Sequence, residues 1–374
     1  MGLPRSHACR GSGRIRSPGR GGGPSLSPTR PNRIGRTNPK RHKVNRGEGP
    51  LGEFRPRGCR PHVQSFEERV LDFGVQVNVY RTSWEDIRTS VEAMEAGDWD
   101  SVWFADHFIP PGANREQEAM TAFEGLAAIA VAGGMTKKLR LGNLVLGNTY
   151  RNPALVAKIA GTIDTATEGR FTLAIGAGWY KREHEAYGWT FPSMKERQDR
   201  FEEACELLRL LIHSDEPVDF HGTYYDLDNA RLSPGSYDKP IPIMVGGTGP
   251  KRTLRTLARH GDVMNLDGWA GGGMSLDYYK YKAGILEKHC EDAGRDPAEI
   301  RRTLLMPCYL TEDKNLVERV VKGLGPGTVA GSRQYIVDRI GEFQDAGIAE
   351  IMFGGVAGVE RLKQYEEEII SAFR

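Results

Sequence analysis

The chain has 374 residues, with 51 Lys and Arg against 49 Asp and Glu. The formal net charge of +2 conceals a split, because residues 1–66 hold fifteen Lys/Arg and two acids, leaving 36 bases and 47 acids to the other 308 residues. An acidic body argues against nucleic acid as the main partner, and no apolar run reaches the ~18 residues that a membrane span needs.

The first 66 residues include twelve Gly and nine Pro. Such a composition cannot bury enough apolar surface to offset chain entropy, so residues 1–69 read as a disordered Arg/Gly/Pro-rich tail. A basic arm for nucleic acid and an Arg-rich presequence are the functional readings. The prolines oppose an amphipathic helix, and there is no apolar h-region. The favoured reading is that the tail is not part of the working protein, as from a start set too early. A start near Val70 would put Leu71-Asp72-Phe73-Gly74-Val75 directly on the first strand. Removing residues 1–69 is therefore expected to leave the melting temperature unchanged, and a thermal melt that drops by several degrees refutes this.

From Leu71 short apolar runs alternate with amphipathic helices. Leu71–Asn78 reads as the first strand. Ser83, with Asp86 three residues on, caps a helix that buries Trp84, Ile87, Val91 and Met94 and stops at Gly97. Strand two is Ser101–Ala105, the second helix Ala119–Ala132, strand three Leu139–Gly147, and the third helix runs from Pro153 to Thr167. Strand four is Phe171–Gly176, followed by a helix over Lys195–Ile212 with Phe201, Ala204, Leu208 and Leu211 inward. An irregular piece, Val218–Lys239, interrupts the alternation; a hairpin turning at His221-Gly222 is expected there. Strand five is Ile241–Val245, with a helix from Pro250 to His260. Strand six is Val263–Leu266, with a helix over Leu276–Ala293. Strand seven is Thr303–Leu310, then a short helix Leu316–Lys322 and a longer one Ser332–Ala346. Strand eight is Glu350–Phe353, and the last helix places Val359, Leu362, Ile369 and Phe373 on one stripe.

Repeated βα units imply a parallel sheet, and eight of them fit a closed (β/α)8 TIM barrel with insertions over residues 70–374. A doubly wound open sheet is the alternative, disfavoured because it usually has about five to seven strands. A barrel places its chemistry at the C-terminal ends of the strands. The residues there are Gln76–Tyr80, Asp106–Phe108, Gly147–Asn152, Gly176–Tyr187, Gly246–Pro250, Asp267–Ala270, Pro307–Tyr309 and Gly354-Gly355.

Gly176-Ala177-Gly178 follows a strand, but position 181 is Lys181, so the dinucleotide fingerprint fails. Val245-Gly246-Gly247-Thr248-Gly249-Pro250 reads as an anion nest: a strand ends, flexible residues follow, and proline starts a helix whose free amides point back at the loop. The bland alternative is an ordinary tight βα turn. His184-Glu185 is followed by Gly188 rather than a second histidine, which rules out H-E-x-x-H. The five cysteines, Cys9, Cys59, Cys205, Cys290 and Cys308, form no C-x-x-C unit, so reduced cytosolic thiols and no metal are expected. Asp106-His107 closes strand two, where a histidine can move a proton to or from a ligand oxygen; the alternative is a pair that only packs the loop. Trp103, Trp179, Trp189 and Trp269 read mainly as barrel packing, with Trp179 and Trp269 placed to wall a flat ligand.

Together these stretches resemble the bacterial luciferase-like monooxygenase superfamily, and within it the branch that uses the deazaflavin coenzyme F420. The resemblance rests on Trp99-Asp100-Ser101-Val102-Trp103-Phe104-Ala105-Asp106-His107-Phe108, Leu139-Arg140-Leu141-Gly142, Thr149-Tyr150-Arg151-Asn152-Pro153-Ala154, Gly169–Trp179, Pro242–Gly247 and Gly261-Asp262. It implies a barrel holding a flavin-type ring in its mouth. By that resemblance Asp106 contacts the deazaflavin and His107 is the catalytic proton donor. A bulge with a non-proline cis peptide maps near Leu144-Val145, beside Gly147. The cofactor phosphate maps to Gly246, Gly247, Thr248 and Gly249, and the turn after strand four approaches the cofactor through Ala177, Gly178 and Arg182. A sugar-phosphate dehydrogenase branch carries a Glu base where this chain has Trp179, so that base and substrate are not carried over.

The expected function is F420-dependent hydride transfer to or from a small organic substrate in a cytoplasmic homo-oligomer, a dimer. FMN-dependent monooxygenation is the alternative within the family, since a deazaflavin loses oxygen activation. A non-catalytic flavin-binding protein and an unrelated barrel isomerase or aldolase are the alternatives outside it. The Lys181-Arg182 and Lys251-Arg252 pairs either meet an oligoglutamate tail or are solvated helix starts.

Overall fold

The computed structural model describes residues 71–112, 114–118, 120–269 and 274–374. The expectations placed on residues 1–69, Val70, Ala119 and Ala270 lie outside the described residues. Eight parallel strands close on themselves: β1 (Asp72–Val77), β2 (Ser101–Phe104), β3 (Arg140–Asn143), β4 (Phe171–Gly176), β5 (Ile243–Gly246), β6 (Val263–Asp267), β7 (Arg301–Leu310) and β8 (Glu350–Gly354). Each pairs with its sequence neighbours, and β8 closes the ring onto β1 with Phe73 opposite Ile351. The (β/α)8 barrel expected from the alternation is therefore the observed fold.

Side chains alternate along each strand. Trp103, Leu144, Ala174, Met244, Val263, Leu305 and Met352 fill the barrel interior. The opposite faces meet the helices α1 (Trp84–Ala96), α2 (Gly125–Met135), α3 (Pro153–Ala166), α4 (Met194–His213), α5 (Thr253–His260), α6 (Leu276–Ala293), α7 (Arg333–Asp345) and α8 (Val359–Glu368). Ser83 and Asp86 form the expected reciprocal cap of α1. The N-terminal end of the barrel is plugged by charge: buried Glu350 accepts from Ser101 at 2.5 Å and pairs with Arg140 at 3.1 Å and Arg301 at 3.4 Å. Those cations and the Ser101 hydroxyl hold its carboxyl below the ordinary value although burial alone would raise it. Polar chemistry thus closes one end and leaves the other free for ligands.

Several elements depart from the periodicity. The third strand is broken: after Asn143 the Leu144–Val145 peptide is cis, and the chain rejoins the sheet only at Leu146–Gly147, opposite Ile175 and Gly176. The helix expected from Ala119 starts at Gly125, because the Glu124 carboxylate accepts the Ala127 amide at 2.6 Å and caps it there. It runs on through Gly133, where a Cβ would stand 2.6 Å from Thr167. The hairpin turns at Gly222–Tyr225, later than expected, because Glu203 of α4 accepts the Thr223, Tyr224 and Tyr225 amides at 2.9, 2.7 and 2.8 Å. A helix over Lys181–Tyr187 fills what reads in sequence as loop. Pro250 does not open its helix; α5 begins at Thr253. Cys205, Cys290 and Cys308 are buried free thiols. Among the described residues no helix is long and apolar enough to cross a membrane.

Candidate active site

The C-terminal rim is organised by two buried carboxylates. Asp106, 3% exposed, takes both guanidinium nitrogens of Arg151 at 2.7 Å each and the Gly147 amide at 2.9 Å. Arg151 also pairs with Glu124. Asp106 therefore fastens the segment after the cis peptide to the end of β2. Removing Arg151 strands the buried Asp106 carboxylate without its cation, at a cost of about 3–5 kcal/mol.

Glu183 is the second carboxylate, fully buried on the helix Lys181–Tyr187. It accepts the Phe108 and Ile109 amides at 2.5 and 3.1 Å, the Tyr150 hydroxyl at 2.5 Å, and bonds His107 Nδ1 at 2.9 Å. Burial alone would raise its carboxyl, but His107, Tyr150 and the Ile109 amide hold it below the ordinary value. An ionised carboxylate only accepts, so His107 carries its proton on Nδ1. No described residue bonds Nε2, which is left for a ligand. Burial and the charges of Glu183 and Asp106 push the Tyr80 and Tyr150 phenols up, so both remain protonated. The buried Tyr80 hydroxyl has no partner among the described residues, and its ring lies 6.5 Å from His107.

Aromatic side chains frame this pair. His107 meets Trp179 edge-on at 5.3 Å and Tyr180 at 5.8 Å, and Trp179 stacks on Tyr180 at 5.0 Å. Trp179 is 61% exposed and Trp269 41%, while Trp103 is buried in the barrel and Trp189 stacks on Tyr187 at 5.0 Å. The Trp269 indole nitrogen stands 3.1 Å from where a Cβ on Gly354 would be, which places the ring over the end of β8. Asp267, on the same inward column of β6 as Asn265, accepts the Trp269 amide at 2.8 Å, and burial raises its carboxyl.

The floor is the irregular end of β3. The Leu144 carbonyl accepts from Gln76 at 3.1 Å. Val145 lodges against β4 and β5: a Cβ would sit 3.0 Å from its side chain at Gly176 and 2.5 Å at Gly246. At Gly178, φ is +77° and a Cβ would meet the Thr149 hydroxyl at 2.4 Å, so glycine is required there. Leu144, Val145, Gly147, Ala177 and Gly178 thus come together with Asp106 and His107 on one side of the mouth.

The Gly246–Gly249 turn lies at the end of β5. Gly247 has φ +102°, and the Gly249 carbonyl accepts the Leu254 amide at 3.1 Å as α5 begins. Beneath it Lys282 of α6, 6% exposed, donates to the Thr248 carbonyl at 2.8 Å, and the Tyr278 hydroxyl is 3.4 Å from that of Thr248. Of the two basic pairs, Lys181 meets Glu185 at 3.2 Å and Arg252 meets Asp199 at 2.6 Å. Arg182 is exposed on the first turn of its helix, and Lys251 is exposed beside α5. Among the described residues no cluster of three or more metal-ligating side chains forms.

Sequence reasoning placed Tyr150, Arg151, Glu183 and Asp267 within the strand-end segments to inspect but gave none of them a role, and it did not name Lys282. Glu183 had one readable signal, three acids and two histidines in Glu183–Glu185 and Asp106-His107 at two barrel-rim segments, but nothing local pairs them.

The luciferase-like monooxygenase family model matches residues 70–336. The F420-dependent glucose-6-phosphate dehydrogenase of Kineococcus radiotolerans is 36% identical over 228 residues, 60% of this chain and 63% of that protein, so the match spans just under two thirds of the relative. The protein of the same name from Nocardia farcinica is 31% identical over 258 residues, 68% of this chain and 73% of its own length. Among solved structures, an F420-dependent secondary alcohol dehydrogenase in complex with an F420–acetone adduct aligns with TM-score 0.68 at 22% identity, covering 81% of this chain and 99% of its own. At that identity the structural likeness speaks to the fold alone.

Proposed function

The chain belongs to the luciferase-like monooxygenase family, and from that premise we propose that it is an F420-dependent oxidoreductase in which His107 moves the proton that accompanies hydride transfer to or from a small organic substrate. The observation that carries this reading is the His107–Glu183 pair at the catalytic end of the barrel, with Nδ1 engaged and Nε2 free of any described partner. The named activities of the relatives support the cofactor.

The residues fit such a group. Gly247 leaves backbone open where a side chain would intrude, Trp179 presents an exposed aromatic face, and the Tyr80 hydroxyl is buried without a partner among the described residues. When bound, the deazaflavin supplies two-electron hydride chemistry and no oxygen activation. Everything else falls to the chain. Leu144, Val145 and Gly147 form the floor, held by Asp106 through the Gly147 amide. The Gly246–Gly249 turn takes the phosphate on its amides. His107 gives a proton from Nε2 to the substrate oxygen in reduction and takes one in oxidation, while Glu183 keeps Nδ1 protonated throughout. Trp179 and Tyr180 exclude water beside the imidazole.

Titration with F420 and with FMN, each followed by fluorescence, tests the cofactor. Saturable F420 binding with weaker FMN binding is expected; tight FMN binding without F420 binding points instead to the oxygen-dependent branch. Gly247→Val is expected to weaken F420 binding by about 1–3 kcal/mol in a folded variant, through lost amide contacts. The positive φ at this position also strains any L side chain. Unchanged affinity by the same titration refutes the placement of the phosphate.

A further inference from the structure

We propose that Lys282 is the counter-charge of the anion site at the Gly246–Gly249 turn, so that the phosphate of the cofactor is bound by backbone amides above and by a buried ammonium below. This rests on the cofactor reading above for the identity of the anion, but not for its existence.

Lys282 as a whole residue is 6% exposed, and among the described residues no ion pair includes it. Its one hydrogen bond, 2.8 Å to the Thr248 carbonyl, satisfies one of three donors. The Tyr278 and Tyr281 rings flank it at 5.1 and 5.6 Å. Aromatic faces stabilise a cation without neutralising it. A charge in a buried side chain that is neither paired nor fully hydrogen-bonded is costly, and a nearby anion offsets that cost.

The position fits a ligand rather than the core. Lys282 comes from α6, which follows β6, and crosses to the turn after β5. By holding the Thr248 carbonyl it turns one carbonyl of the Gly-Gly-Thr-Gly segment away from the side where an anion meets amides. The Tyr278 hydroxyl, 3.4 Å from the Thr248 hydroxyl, restrains the same residue. The turn thus has a fixed carbonyl direction, a glycine at positive φ and a positive charge within one residue of each other. The nearby cations Arg252 and Arg255 are committed to Asp199 and Glu202, so Lys282 is the one whose charge is unspent among these three.

The test compares the wild-type full chain with Lys282→Met, which removes charge and hydrogen bond, and Lys282→Gln, which keeps a donor without the charge. Affinities are measured by fluorescence for F420 and for its phosphate-free deazaflavin chromophore. Both variants are expected to lose about tenfold or more in F420 affinity, with the chromophore unaffected and the difference shrinking as salt is added. Equal weakening of both ligands, or a Gln variant that matches the wild type, makes Lys282 a tether between α6 and the turn and overturns the proposal. Inorganic phosphate gives a second arm, read as the melting temperature. It should stabilise the wild type and neither variant, even if the wild type binds no deazaflavin and the cofactor reading fails. A wild type indifferent to phosphate overturns the anion site itself.

Discussion

His107→Ala is expected to lower kcat by about 10²–10⁴-fold while leaving F420 affinity near the wild-type value. The imidazole sits at the end of β2 with Nδ1 tied to Glu183 at 2.9 Å, so only Nε2 can serve a substrate. Hydride arrival at a carbonyl carbon leaves negative charge on oxygen, and alanine has no proton to quench it. The loss should fall on kcat and kcat/KM alike, because a proton transfer matters in the transition state rather than in the ground state. The matching limb of the pH–rate profile should also disappear. A variant that binds F420 poorly yet turns over normally at saturation would make His107 a cofactor contact instead. Wild-type values for both would leave it a packing residue of the rim.

Glu183→Gln should cost nearly as much in rate, for a reason one bond further away. Glutamine can still accept the Phe108 and Ile109 amides through its oxygen. Its NH2 group then faces His107 Nδ1 and the Tyr150 hydroxyl, where the carboxylate accepted. A donor opposite Nδ1 forces that nitrogen to become the acceptor and puts the proton on Nε2, so the neutral ring can no longer take a proton there. A drop of about 10²–10⁴-fold is expected in the oxidation direction, where Nε2 must take the proton, and there the His107→Ala/Glu183→Gln double variant should be little worse than either single one, since the two residues act as a unit. A rate within a few-fold of wild type would show that Glu183 only packs the loop.

The same carboxylate gives a stability signature. Its folded value is lowered by His107 and Tyr150 against the upward push of burial. A group lowered on folding stabilises the native state above its unfolded value, about 4.3 for Glu, and that contribution is lost as the pH falls through the folded value. The wild type should therefore lose stability relative to Glu183→Gln on acidification below about pH 4.3. Melting temperatures of the two proteins across pH 3–7 measure this; parallel curves argue against an ionised Glu183.

Both effects depend on a contact between residues 76 positions apart, and the sequence shows why it stayed hidden. Lys181–Tyr187 follows a Gly-rich strand end and lacks a side-chain cap. Nothing local marks it as a helix, and nothing marks Glu183 as the residue that turns inward. The hairpin went the same way. Gly222 suggests a turn, but Glu203 of α4 chooses which amides close it. Pro250 looked like a helix start because proline tolerates the first turn; the Gly249 carbonyl instead takes the Leu254 amide and delays α5 to Thr253. Lys282 reads as one more solvated lysine of a polar helix until the Thr248 carbonyl is found above it.

The sequence by itself determined the alternation of eight strands and helices, the rim where ligands meet them, and the identity of Asp106-His107 and Gly246–Gly249 as residues to inspect. Those features are local. Strand runs repeat every two residues and helices every 3.6, and caps such as Ser83–Asp86 lie within one turn. Tertiary structure alone decided which carboxylate faces His107, what Asp106 holds, and which cation stands under the glycine turn. These are pairings between side chains from different βα units, and they exist only once ring closure brings the strand ends together.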